Sequence, residues 1–118
     1  MSLLVNVRVY DENGEYSEIE LEQGKDLAGG ERLRFILYGS ELAENLGLKL
    51  LPQLKNHDLH VEPDNLDELE NELKTILDNI EEFAKNADFV QEYVKARVQN
   101  IFDAIQIARK EKGVLVIW

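Results

Sequence analysis

The chain has 118 residues, 44% of them hydrophobic, and its 24 acidic against 13 basic side chains give a formal net charge of −11. This length and apolar fraction suit one domain, residues 1–118, built around a single core. The charge repels phosphate backbones and anionic lipid, no stretch approaches the ~20 apolar residues of a membrane span, and the lack of cysteine removes thiol chemistry and disulfides, so nucleic acid, membrane and thiol-based roles are set aside.

The amino terminus has no basic stretch followed by a sustained apolar run, so no signal peptide is expected and the location expected is cytoplasmic. Leu3, Val5, Val7 and Val9 alternate with Leu4, Asn6, Arg8 and Tyr10, the period of a half-buried strand. Asn13-Gly14 then marks a turn, and residues 16–22 read as the return strand of a hairpin, with Ile19 and Leu21 facing inward. Residues 23–30 lack periodicity and end in Gly29-Gly30, which reads as a loop. Arg32 to Tyr38 is rich in β-formers and predicts a third strand, with Leu33, Phe35 and Leu37 on its inner face. Ser40 is the expected N-cap of a short helix that Gly47 closes.

Residues 48–54 form an apolar, irregular connection around Pro52, and residues 58–62 alternate as a short strand, placed at an edge and stopped by Pro63. Asp64 is read as the cap of a helix whose Leu66, Leu69, Leu73, Ile76, Leu77, Ile80 and Phe83 fall at steps of three and four. Asn86-Ala87-Asp88 interrupts that pattern and offers a second cap. From Val90 to Ala108 another apolar stripe follows, ending in Arg109, Lys110 and Lys112 before Gly113, as the helix dipole and a left-handed cap favour. The closing run from Val114 to Trp118 offers solvent no polar side, so it belongs inside the sheet beside the first strand, covered on both faces. The fold class expected is α+β: a small mixed or antiparallel sheet packed by two longer amphipathic helices and one short helix.

Few residues carry chemistry. Tyr93, Arg97 and Asn100, spaced by four and three, would align a phenol, a guanidinium and a carboxamide beside the apolar stripe of the last helix, suited to a small anionic ligand; alternatively Arg97 snorkels or pairs with an acid. Glu68, Glu72, Asp78 and Glu82 lie on the outer face of the preceding helix, where they would meet a basic protein partner. His57 and His60 with Asp58 and Glu62 are the only metal-type grouping, and their strand spacing points the two imidazoles apart, so no metal and no cofactor is assigned. Ser40 follows a glycine at a strand-to-helix turn but lacks the glycine pattern of a nucleophile elbow, and Arg32 and Arg34 are expected to pair across strands with Glu18, Glu20 or Glu22.

In size, acidity and mixed architecture the chain resembles the general type of bacterial immunity proteins, which neutralise toxins; the resemblance is one of general character and transfers no residue. It implies a protein-interaction module. The alternative is a small-molecule-binding or enzymatic module with a pocket beside the last helix, although no phosphate loop or dinucleotide fingerprint fixes a reaction. A third reading is a homodimer formed through Trp118 and residues 48–54.

Overall fold

A computed structural model describes residues 2–118. Its centre is β1 (Ser2–Tyr10), whose alternation buries Leu3, Val5 and Val7 completely. The last strand, β5 (Val114–Ile117), pairs antiparallel with β1 in the register Val5↔Ile117 to Arg8↔Val114. β4 (Leu59–Val61) completes that side, antiparallel to β5, and is an edge strand as expected.

The other edge of β1 is shared by β2 (Tyr16–Glu18) and β3 (Leu27–Gly30), both antiparallel to it. Direct partners share a face, so Leu3, Val5, Val7, Leu59, Val61, Leu115 and Ile117 turn together into the helix-covered core. Val114 and Val116 are buried as well, but they point to the opposite face and lie outside that core, flanked in register by Arg8, Asn6 and His60.

Between the glycine pair and the acidic helix the sequence reading needs its largest correction. Gly29-Gly30 is strand, and the segment expected to be a third strand carries the short helix α1 (Leu33–Ile36). Burial follows a helical period: Leu33, Leu37 and Tyr38 are enclosed, whereas Phe35 is 56% exposed. Leu33 packs so tightly over Gly29 that a Cβ there would overlap its side chain, and Gly29 holds φ +130. Close approach therefore explains the glycine in the strand, and tertiary packing overrides the β-propensity of residues 32–38. The return strand of the hairpin is also shorter than expected, ending at Glu18.

Ser40 caps α2 (Glu41–Asn45) as anticipated, its hydroxyl accepting from the Ala43 N–H at 3.2 Å. Residues 48–54 are buried at Leu48, Leu51, Pro52 and Leu54, and a 3-10 turn spans Leu51–Lys55. This connection is held by α3 (Leu66–Asp78): the carboxylate of Glu72 accepts from the backbone N–H groups of Lys49 (2.8 Å), Leu50 (2.9 Å) and Leu51 (2.9 Å). Asp64 is not a cap. It sits inside a 3-10 turn, Pro63–Asn65, that runs directly into α3.

The helix expected across residues 66–83 is divided at Asn79, whose backbone leaves helical geometry and whose side chain donates to Thr75 O at 2.9 Å. An amide that competes for its own backbone carbonyls is a recognised helix breaker. α4 (Ile80–Ala87) then ends at Asp88, left-handed at φ 60, which closes that helix instead of capping the next. α5 (Gln91–Glu111) lies across β1, β3 and β5 and buries Val94, Val98, Ile101, Ala104, Ile105 and Ala108. Its left-handed terminator is Lys112 (φ 54), not Gly113. Gly113 serves close approach: a Cβ there would meet Arg8 O at 2.8 Å and Val7 Cγ1 at 2.9 Å.

Arg109 near the end of α5 clasps α3, donating to Glu70 Oε2 at 2.9 Å and Asp67 Oδ1 at 2.6 Å. These bonds from Arg109, ahead of smaller contributions from Lys74 and Gln106 and against some desolvation, hold the Glu70 carboxyl below the usual glutamate range. A depressed folded pKa contributes stability above the unfolded value of ~4.3 and loses it as pH falls through the folded value. Arg109→Gln should therefore be less stable than the parent near neutral pH, with the gap closing in acid below that folded pKa, as urea unfolding across a pH series would show. Glu72→Gln should cost about 1–3 kcal/mol in the same assay, because one carboxamide oxygen cannot serve three N–H donors.

Candidate functional site

α5 presents Tyr93 and Arg97 beside each other at its first half, and the structure separates Asn100 from them. Asn100 is buried, and its amide donates to Gly24 O (3.0 Å) and Leu27 O (2.8 Å). It fastens the approach to β3 onto α5 and has no donor left for a ligand. Tyr93 stacks on Phe89 with ring centroids 4.6 Å apart, and the Arg97 guanidinium lies 5.4 Å from the Tyr93 centroid. Positions 89, 93 and 97 thus form a continuous row of two aromatic rings and a cation. Beneath it is Tyr38, fully enclosed, whose hydroxyl donates to Ala28 O at 2.8 Å. Burial raises the Tyr38 phenol above the usual tyrosine range, with Tyr93 adding to the shift and Arg97 opposing it.

Arg97 is unusual in so acidic a chain. Among the described residues it forms no ion pair, and its Nε is shielded from solvent without a hydrogen-bond partner. The pairing with an acid that the sequence allowed is therefore not made. Phe89 was missed in the sequence because it falls in the corner after α4; its spacing of four from Tyr93 was the available signal.

The acidic flank is only partly as expected. Glu68, Asp78 and Glu82 are exposed, joined by Glu81, and none of them is in an ion pair among the described residues. Glu72 is 7% exposed and turned inward onto residues 49–51, so it cannot meet a partner. A carboxylate inside an otherwise apolar stripe was legible as an outer-face residue only while its backbone partners were unknown.

Other groupings resolve into local structure. Arg34 pairs with Glu31 and with Asp58 (2.8 Å) and donates to Leu54 O and His57 O, not to the acids of the hairpin, and Arg32 is exposed and in no ion pair among the described residues. The cross-strand pair there is Arg8 with Glu18 at 3.4 Å. His57 Nδ1 lies 2.7 Å from Asp58 O, His60 is exposed on β4, and among the described residues no group of three or more metal-type ligands forms. Trp118 is 41% exposed and donates to Asn6 Oδ1 at 2.7 Å, but the Leu48, Leu51 and Leu54 side chains expected to share a self-association patch are buried. An open depression of about 500 Å³ beside α5 is lined by Glu20, Glu22, Lys25, Asn100 and Asp103, and does not include Tyr93 or Arg97.

No family model, curated protein or solved structure matches the chain.

Two substitutions on α5 should separate structural from unassigned polarity. Asn100→Leu removes two donors to backbone carbonyls and should cost about 1–3 kcal/mol, whereas Arg97→Met deletes an unpartnered shielded donor and should change stability by less than about 0.5 kcal/mol or raise it. Urea unfolding of both variants at one pH checks the contrast.

Proposed function

We propose that the chain is a protein-binding module whose partner presents a basic surface. The supporting observation is the acidic flank of α3 and α4, where Glu68, Asp78, Glu81 and Glu82 stand exposed and outside every ion pair among the described residues. Lys74, which could relieve them, is directed to Glu70 at 3.7 Å. Uncompensated surface charge repels itself within the folded chain, and a cationic partner relieves that repulsion on docking while the field speeds encounter.

The reading agrees with the character that the resemblance to immunity proteins implies: a compact acidic protein that neutralises another protein by covering it. Glu72 has no part in it. Its carboxylate instead keeps α3 anchored, so that Glu68 and Asp78 are presented from a fixed helix.

Capture of partners at low ionic strength, followed by cross-linking to map the contact, tests the proposal. The captured protein should be basic, its cross-links should fall on α3 and α4, and raising salt from about 50 to about 300 mM should release it. Reversal of Glu68, Asp78, Glu81 and Glu82 to lysine should abolish capture, while reversal of Asp11, Glu12 and Glu15 in the hairpin should leave it largely intact. Equal losses from the two sets would reject a localised acidic interface.

A further inference from the structure

We infer that Arg97, with the ledge formed by Phe89, Val90 and Tyr93, is a binding site for a monocarboxylate attached to an apolar or aromatic body. The site lies at the start of α5 and adjoins the acidic flank at Glu81, which lines one open depression with Lys85, Phe89, Val90 and Glu92; the ligand and its expected salt dependence differ from those of the basic-partner reading.

Arginine carries five N–H donors and no acceptor, and burial of an unpaired donor costs free energy that a native fold normally avoids. With 24 acidic side chains in the sequence, a structural partner for Arg97 would be easy to supply. Arg8, Arg34 and Arg109 each have one, and Arg32, which has none among the described residues, is exposed to water; Arg97 has none either, and its Nε is enclosed. Its neighbours hold it in position instead: the Tyr93 ring lies 5.4 Å away and is itself stacked on Phe89 at 4.6 Å. A cation positioned by aromatic rings rather than by an acid keeps its charge available for an incoming oxyanion.

The surroundings narrow the ligand. Phe89 is 38% exposed and Val90 68% exposed, and both line an open depression next to the row, rimmed by Glu81, Lys85 and Glu92, so exposed apolar surface adjoins the charge. Asn100, the third member of the sequence-expected row, is committed to backbone carbonyls, so Arg97 is the charged group of that row that can meet the ligand's charged end. One guanidinium matches one carboxylate bidentately. A net charge of −11 penalises a dianion such as a phosphate monoester more than a monoanion. The carboxylate can belong to a small free acid or to the terminus of a peptide with an apolar last residue.

Titration of the isotopically labelled chain, followed by NMR, tests this with phenylacetate, with benzyl alcohol as its neutral counterpart, and with a tripeptide ending in phenylalanine as free acid or amide. Phenylacetate should shift the Arg97 Nε–H and the amides around residues 89–97, and benzyl alcohol should bind at least ~10-fold more weakly. Arg97→Gln should lower phenylacetate affinity by ~10-fold or more and Arg97→Lys by less, with thermal melts reporting that both variants fold. A peptide acid that binds far more tightly than phenylacetate identifies a chain terminus as the source, and equal binding identifies a small acid; either supports the site.

The salt dependence has the opposite sign to that of a basic partner: because the chain's field repels an anion, screening should strengthen carboxylate binding. Reversal of Glu68, Asp78 and Glu82, leaving Glu81 beside the ledge unchanged, should likewise preserve or improve it, so this site and the acidic interface fail separately. Equal binding of phenylacetate and benzyl alcohol, unaltered binding by Arg97→Gln, or no response of the Arg97 Nε–H at tens of millimolar phenylacetate would overturn the inference.

Discussion

The antiparallel pairing of β1 with β5 is the constraint on which the remaining architecture rests. Val5 opposes Ile117 and Val7 opposes Leu115, so the two central strands come from opposite ends of the sequence, and every helix lies on the chain between them. Apolar side chains from both strands enter the same core that α3 and α5 cover. Among the described residues β4 pairs only with β5, and β2 and β3 only with β1, so loss of the central pair would split the sheet into a two-stranded and a three-stranded piece.

A second layer of order comes from polar side chains that clamp irregular backbone to helices. Glu72 collects the N–H groups of residues 49–51, Asn100 supplies donors to Gly24 and Leu27, and Arg109 ties α5 to α3. Glu72 and Asn100 in this way supply hydrogen bonds to connecting backbone that lacks a regular ladder, whereas Arg109 joins two helices through their carboxylates. The same requirement makes Arg97 stand out, since it is a shielded donor that clamps nothing.

The sequence made the periodic parts legible. The alternation of β1, the apolar tail that became β5, the Ser40 cap and the stripe of α5 are local patterns, and each appears where the pattern predicts it. What was not legible depends on contacts distant in sequence. Residues 32–38 have β-forming side chains, but Gly29 and Gly30 take the place beside β1 and Leu33 closes over Gly29, which no local propensity encodes. Glu72 shares its helix with solvent-facing acids, and only the position of residues 49–51 turns it inward. Tyr93 and Arg97 were correctly placed as neighbours by their spacing of four, whereas Asn100 left the group because its amide is required by carbonyls some 75 residues earlier in the chain.

The central pairing also orders events during synthesis. β2 and β3 follow β1 closely and can occupy one of its edges early, but the other edge has no natural occupant until residues 114–117 have been made, more than 100 positions later. Closing so long a loop is slow, and an unfilled strand edge invites pairing with other chains. A net charge of −11 works against such association, because chains of like charge repel one another while that edge is still unfilled.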